Sequence, residues 1–230
     1  MKNLIVLIPA HDEGEHIATV VKAARQYLPV LVVDDGSTDG TARLAKAAGA
    51  VVLRQSPNQG KGAALLAGFR HALGLGYKAV ITLDGDGQHD PAEIPKFLAA
   101  YRDHPAGLLI GRRDFSRMPF IRRLANSLGG ALLSMAVGQK IPDNQSGYRL
   151  VNESLIKIML ENKERGFEFE VDMVVLALKH SLGIGWVPIK TIYAGEKSHI
   201  KPIDHLFNFL RVTVKAWQSV HEIKERRSLL

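Results

Sequence analysis

The chain is organised around twelve residues, Val80-Ile81-Thr82-Leu83-Asp84-Gly85-Asp86-Gly87-Gln88-His89-Asp90-Pro91. The first four are apolar apart from one threonine, and they predict a short buried strand. Two carboxylates follow among glycines. Pro91 then stands where a helix can begin, because the first turn of a helix needs no N–H donor. Strand, acidic loop and helix in this order are typical of the carboxyl edge of an open α/β sheet, where ligands bind.

The acidic loop itself suggests a metal site. Asp84 and Asp86 project from one short loop, and Gly85 lets the backbone come close to a ligand. Two carboxylates and the amide oxygen of Gln88 suit a hard divalent ion, Mg²⁺ or Mn²⁺, that also holds substrate phosphates. Asp and Gly are also ordinary turn residues, so the loop alone leaves a simple turn as the alternative.

The first half of the chain repeats one alternation of strand and helix. Short apolar runs predict strands, and apolar residues at three- and four-residue spacing predict helices. The predicted strands are 4–8, 30–33, 51–53, 80–83 and 108–110. Alternation with short loops predicts an α/β fold, in which a Rossmann-like, mostly parallel sheet is flanked by helices.

The second half predicts helices at 124–137, 155–160 and 171–180, with strands near 150 and at 184–189. The last segment, 203–224, predicts a long amphipathic helix. Its apolar side carries Phe207, Leu210 and Trp217, and Arg211 and Lys215 lie off that side. We therefore divide the chain into one domain over 1–200 and a C-terminal helix in 201–230. This helix either packs internally or contacts a membrane surface.

The amino-acid composition limits the kinds of partner and the cellular location that we expect for this protein. The 230 residues carry a formal net charge of +7, which favours anionic partners such as nucleotide phosphates or an acidic membrane surface. The absence of cysteine excludes disulfides and thiolate metal sites and fits a reducing compartment. No apolar run approaches the roughly 18 residues of a spanning helix. We expect a cytoplasmic protein without a nucleic acid partner, with peripheral contact at the cytoplasmic face of the cell membrane left open. The oligomeric state is also open.

Four polar loops follow predicted strands, at 9–14, 34–41, 58–62 and 84–91. The carboxyl ends of parallel strands meet at one edge of a sheet, so we expect these loops to converge. Glu13 and either Asp34 or Asp35 are suited to accept from a base or ribose, with helix capping as the alternative for the aspartates. Lys61, at a glycine-flanked helix start, suits phosphates. The spacing matches neither the phosphate loop of nucleotide hydrolases nor the dinucleotide-binding fingerprint.

Taken together, these motifs resemble the family 2 glycosyltransferases with a GT-A fold. The resemblance is carried by Ile8-Pro9-Ala10-His11-Asp12-Glu13, Val32-Val33-Asp34-Asp35-Gly36-Ser37-Thr38-Asp39-Gly40-Thr41, Asn58-Gln59-Gly60-Lys61-Gly62 and the acidic stretch. The order and spacing are most similar to the dolichyl- and polyprenyl-phosphate hexose (mannose) synthases. The resemblance implies a GDP- or UDP-linked sugar donor, Mg²⁺ or Mn²⁺, inversion at the anomeric carbon and a polyprenyl phosphate acceptor.

The resemblance also implies roles for individual residues. The nucleotide-binding residues would be Pro9, Ala10, Glu13, Asp34, Asp35, Lys61, Asp84 and Gly85, and the metal ligands would be Asp84, Asp86 and Gln88. The catalytic residues would be Asp86, Asp143, Arg113 and Arg122. Among these, the two arginines are the candidate ligands of an acceptor phosphate, and Asp143 belongs to a loop beside the reacting centre.

The acceptor determines which further groups the reaction needs. A hydroxyl acceptor needs a general base, for which Asp143, Glu168 and Glu170 are candidates. A phosphate monoester has a second pKa of about 6 and needs arginines more than a base. The arginines in 112–123 favour the phosphate acceptor, with a solvated basic face as the alternative. A soluble transferase with a saccharide or small hydroxyl acceptor, and a non-catalytic nucleotide-sugar-binding module, remain the competing hypotheses.

Overall fold

The computed structural model describes residues 3–114, 120–161 and 169–190, together with Val214, Trp217 and Gln218. These residues form one sheet of seven strands in the order β3-β2-β1-β4-β6-β5-β7. The strands are β1 Leu4–Ala10, β2 Val30–Asp35, β3 Val51–Gln55, β4 Ala79–Thr82, β5 Leu108–Arg113, β6 Arg149–Asn152 and β7 Ile184–Ile189. The helices are α1 Ile17–Ala24, α2 Thr41–Ala47, α3 Lys61–Gly74, α4 Ile94–Asp103, α5 Phe120–Val137, α6 Glu153–Glu161 and α7 Phe169–Lys179.

The sheet is parallel except at β6, so the prediction of a mostly parallel sheet is confirmed. Strand β6 runs antiparallel between β4 and β5, with Thr82 of β4 opposite Arg149 of β6. Because β6 begins where β4 ends, the loop that leads into β6 lies beside the acidic loop that follows β4. The reversed strand therefore brings a second polar loop to the edge where the acidic loop lies.

The sheet is buried on both faces, which explains the continuous apolar runs of its central strands. Successive residues of a strand point to opposite faces. In β1, Ile5 and Leu7 pack with α3 and α7, whereas Val6 and Ile8 pack with α1 and α4. With both faces covered by apolar packing, the edge at the carboxyl ends of the strands is where polar side chains collect.

A helical segment begins at Pro91, where the sequence predicts a helix start. Its first turn, Pro91–Glu93, is a 3-10 turn that directly precedes α4. The Asp90 carboxylate accepts the Ala92 N–H at 2.9 Å and caps this turn.

Several predictions fall outside the described residues. They concern the amphipathic helix 203–224 apart from Val214, Trp217 and Gln218, the side chain of Arg122, and Glu168. None of the described helices combines the length and hydrophobicity needed to cross a bilayer.

Candidate active site

The first two polar loops are joined by hydrogen bonds at the carboxyl edge of the sheet. The Asp12 N–H donates to Ser37 Oγ at 2.9 Å, and Asp12 Oδ1 accepts the Thr38 N–H at 2.8 Å. The Gly14 N–H donates to Asp39 Oδ2 at 2.7 Å. The predicted convergence of these loops is therefore confirmed.

The two adjacent aspartates at the end of β2 hold the loops around them. Asp35 is buried, and its two carboxylate oxygens accept the N–H groups of Gln59 at 2.9 Å and Gly60 at 2.7 Å. These amides lie directly before α3. Asp34 is also buried and pairs with Arg54 at 3.2 Å. In the structure both carboxylates therefore contact groups of the protein, and their contact with a nucleotide stays a prediction.

A compact charge cluster links α3, the acidic loop and α7. Lys61 Nζ lies 2.7 Å from Asp84 Oδ1 and 3.1 Å from Glu170 Oε1. Burial opposes the charge on Lys61, but the two carboxylates outweigh it and raise the pKa of Lys61 above its usual value. Burial favours the neutral form of Asp84, yet the neighbouring positive charges, of which Lys61 is the strongest, bring the pKa of Asp84 below its usual value. Asp84 is therefore an ionised carboxylate that already attracts a cation.

The surroundings of Asp84 fix its position on two sides. A Cβ atom added to Gly147 would lie 2.8 Å from Asp84 Oδ2, so a larger residue here would displace this carboxylate. Thr82 Oγ1 donates to the Gly147 carbonyl at 2.7 Å and holds the glycine in place. On the other side, buried His89 accepts the Asp84 N–H at its Nδ1, at 3.0 Å.

The predicted metal ligands occupy one loop. The Asp86 carboxylate accepts the Gln88 N–H at 2.9 Å, and Asp86 and Asp84 are both partly exposed. Within the described ranges, no group of three or more His, Asp or Glu side chains is arranged to hold a metal ion on its own. Two carboxylates with substrate phosphates are nevertheless the usual way in which proteins hold Mg²⁺. The loop, whose Asp84 is already paired with a cation, fits a divalent ion shared with a diphosphate.

The end of β5 supplies a guanidinium group to the same region. Arg113 Nε lies 2.8 Å from Asp143 Oδ2, and its second contact, from Nη2 to Asp143 Oδ1, is 2.9 Å. The Arg113 N–H also donates to Asp143 Oδ2 at 3.2 Å. Asp143 is buried and both of its oxygens accept from Arg113, so this contact fixes the orientation of the guanidinium, and the catalytic role of Asp143 stays a prediction. The backbone of Arg122 lies in the first turn of α5.

The remaining predicted nucleotide residues line the same edge. Pro9 and Ala10 are buried at the end of β1, and Pro9 borders a cleft together with Lys61 and Asp84. Gly85 packs near Glu13, since an added Cβ would meet Glu13 Cγ at 3.4 Å. The structure thus brings the predicted nucleotide and metal residues to one end of the sheet.

Arg149 ends the loop that begins at Asp143, which the resemblance places beside the reacting centre, although no individual role was assigned to this arginine. It is fully buried and donates to the carbonyls of Ser146 and Asn144, both at 2.7 Å, and of Glu170. Burial lowers the pKa of Arg149 to about 10. The guanidinium connects the loop before β6 to the start of α7. It thereby fixes the position of the Glu170 main chain relative to this loop. The signal in the sequence was a charged residue at the start of the apolar run Leu150–Val151.

Known proteins share both the sequence pattern and the fold. Residues 5–159 match the family described as Glycosyl transferase family 2. The chain is 32% identical to the undecaprenyl-phosphate mannosyltransferase of Micrococcus luteus, over 81% of this chain and 82% of that protein. It is 29% identical to the UDP-N-acetylglucosamine–dolichyl-phosphate N-acetylglucosaminyltransferase of Methanococcus voltae, over 84% and 86% of the two chains.

A solved structure supports the fold assignment. The glucosyl-3-phosphoglycerate synthase of Mycobacterium tuberculosis, crystallised with Mn²⁺ and UDP-glucose, superposes with a TM-score of 0.68 at 20% identity. The match covers 95% of this chain and 79% of that one. This similarity concerns the arrangement of strands and helices.

Proposed function

The chain belongs to glycosyl transferase family 2, and we propose that it transfers a hexose from a GDP- or UDP-linked donor to a polyprenyl phosphate. One observation carries the proposal. Arg113 pairs with Asp143, and the loop that runs from Asp143 to β6 also brings Gly147 against the Asp84 carboxylate, so the acidic loop and the Arg113 guanidinium lie at the same end of the sheet. A site for a metal-bound diphosphate therefore adjoins a cation suited to a second phosphate. The named relatives, by their own names, act on dolichyl and undecaprenyl phosphates.

At the donor end, the acidic loop would hold Mg²⁺ or Mn²⁺ through Asp84 and Asp86, with Gln88 beside them. A bound divalent ion would neutralise charge on the leaving diphosphate as a Lewis acid. The nucleoside would lie over the joined loops 9–14 and 34–41, whose hydrogen bonds keep that surface rigid.

At the acceptor end, a phosphate monoester is largely dianionic at neutral pH because its second pKa is about 6. Its oxygen attacks the anomeric carbon opposite the leaving group, a new C–O bond forms, and the nucleoside diphosphate departs with the electrons of the broken bond. No proton has to be removed from the acceptor. Arg113 would hold the acceptor phosphate, and Asp143 would keep the guanidinium aimed.

A second candidate is transfer to a hydroxyl group of a saccharide or small molecule. Glu170 favours it, because this carboxylate contacts Lys61, which also contacts Asp84, and lies partly exposed next to the acidic loop. Glu170 would then act as the general base. The non-catalytic hypothesis is dropped, because the chain belongs to a transferase family with named transferases among its relatives.

The test is transfer from a panel of UDP- and GDP-hexoses with Mn²⁺, to undecaprenyl phosphate and, in parallel, to an alkyl glycoside. We expect labelled sugar in the organic phase only with the phosphate acceptor. We expect Arg113→Lys to lower transfer at least tenfold, because lysine cannot form the two-pronged contact. Transfer to the glycoside alone, abolished by Glu170→Gln and unaffected by Arg113→Lys, would favour the second candidate.

We further propose that the protein acts in the cytoplasm, at the cytoplasmic face of the membrane, where the lipid acceptor lies. The predicted helix 203–224 is the suggested contact, through aromatic residues and the basic residues Arg211 and Lys215. Co-sedimentation with anionic vesicles should be salt-sensitive, and Arg211→Gln with Lys215→Gln should weaken it. Equal sedimentation of both proteins would reject this contact.

A further inference from the structure

We infer that His89 is a positioning residue of the acidic loop, holding the main chain of Asp84 through its imidazole Nδ1 so that the carboxylate meets the metal and diphosphate. The inference rests on the proposed metal-dependent transfer. It adds a residue to which neither the motifs nor the comparisons assign a role.

The hydrogen bond defines the state of the ring. Nδ1 of His89 accepts the Asp84 N–H at 3.0 Å, so this nitrogen carries no proton and the proton of the neutral ring is on Nε2. Nδ1 also lies 3.6 Å from Asp84 Oδ2, but a ring without a proton at that atom forms no ion pair there. His89 therefore acts on the backbone of Asp84 as a neutral acceptor.

The Asp84 N–H needs such an acceptor. Strand β4 ends at Thr82, and the Leu83 N–H makes a last bond to the Leu7 carbonyl at 3.2 Å. The chain then leaves the sheet. A buried N–H without a partner costs about as much as a lost hydrogen bond. His89, five residues after Asp84 in the sequence, thus provides the acceptor that this N–H does not find in the sheet.

Packing keeps the ring in place. The His89 ring centroid lies 5.2 Å from that of Tyr148, which stacks on Phe97 at 4.7 Å. The Tyr148 hydroxyl donates to the Asp90 carbonyl at 3.2 Å. The histidine therefore joins the acidic loop to the segment that also presents Gly147 to Asp84.

Two variants separate the acceptor from the ring. Asparagine places Oδ1 the same number of bonds from Cα as Nδ1, so His89→Asn keeps the acceptor, whereas His89→Leu removes it. Both variants lose the ring and should lower Tm by similar amounts. A difference between them in ligand binding therefore cannot come from stability.

The measurement is calorimetric binding of UDP and of GDP to the full chain, with and without Mn²⁺. We expect His89→Leu to weaken the Mn²⁺-dependent part about tenfold, equivalent to about 1.4 kcal/mol. His89→Asn should stay within about threefold of the unmodified protein. If His89→Leu does not fold, His89→Gln takes its place, because its acceptor lies one bond too far from Cα.

Amide hydrogen exchange at Asp84 gives a second readout that needs no ligand. It should be faster in His89→Leu and remain slow in His89→Asn. Equal binding losses in the two variants, or unchanged binding and exchange in His89→Leu, would overturn the inference. If the unmodified protein binds neither nucleotide with Mn²⁺, the proposed function fails, and the exchange experiment still decides whether His89 holds the loop.

Discussion

Replacing Gly147 with alanine tests whether the Asp84 carboxylate must lie where the structure places it. The new methyl group would be 2.8 Å from Asp84 Oδ2 and 3.1 Å from Oδ1. Ordinary contacts of a Cβ atom begin at 3.4 Å, so the carboxylate would have to retreat by about 0.6 Å. The hydrogen bond from Thr82 Oγ1 to the Gly147 carbonyl opposes a compensating shift of the glycine.

The size of the effect follows from this displacement. Mg²⁺ accepts oxygen ligands only near 2.0–2.1 Å and in near-ideal geometry. A misplacement of about 1 Å at a reacting centre costs on the order of 10²-fold in rate. We therefore expect Gly147→Ala to lower transfer by roughly ten- to a hundredfold and to raise the Mn²⁺ concentration needed for half-maximal rate. The fold should survive, because Gly147 lacks the positive φ that would strain an alanine.

The assay compares initial rates across a Mn²⁺ titration, with thermal unfolding measured on the same samples. Gly74→Ala is the matched control, since a Cβ there would meet nothing within 4 Å at the end of α3. It should keep the full rate. Gly147→Ala with an unchanged rate and unchanged Mn²⁺ dependence would refute the argument that Asp84 is a ligand fixed by its contact with Gly147.

Further changes test the remaining parts of the site. Asp86→Ala should abolish transfer and Mn²⁺-dependent nucleotide binding while leaving Tm nearly unchanged, because a partly exposed carboxylate packs against little; normal metal dependence by calorimetry would contradict this. Asp35→Asn should weaken nucleotide binding about tenfold, since one of the two loop amides loses its acceptor; equal affinities would show that the loop position does not matter. Arg149→Met should cost about 3 kcal/mol of unfolding free energy, because three buried carbonyls lose their donor; a Tm within 2 °C of the unmodified protein, by calorimetry, would argue against it.

The sequence predicted the parts of the fold that local patterns specify. Continuous apolar runs identified strands such as β1 and β2 because burial on both faces leaves no polar position. The convergence of the four loops followed from parallel strand direction alone. The direction of an individual strand is harder to predict from the sequence. The antiparallel pairing of β6 depends on contacts between segments distant in sequence, such as Thr82 with Arg149.

Side-chain partners within the site were not predictable for the same reason. A motif indicates that Asp35 and Asp143 belong to the site, but not that their oxygens accept from Gln59, Gly60 and Arg113. Those pairings join segments 24 to 30 residues apart. The contact between Asp143 and Arg113 is visible only in the structure, and the predicted catalytic role of Asp143 stays a prediction.

The charges around Lys61 suggest how the site responds to its ligands. Asp84 and Glu170 contribute two negative charges and Lys61 one positive charge, so this cluster carries a net charge of minus one. Asp86, on the same acidic loop, brings the total to minus two. A divalent ion at Asp84 would balance this charge, but it would compete with the ammonium group for Oδ1, which Lys61 contacts at 2.7 Å. The diphosphate that accompanies the ion brings new negative charge, and Lys61 can turn to it while Glu170 keeps hold of the ammonium group at 3.1 Å. Lys61 would then neutralise the Asp84 carboxylate before the donor binds and the donor phosphate afterwards.

Lys61→Met should therefore weaken binding of the nucleotide diphosphate more than binding of the corresponding nucleoside. An equal loss for both ligands in calorimetry would contradict this change of partner by Lys61.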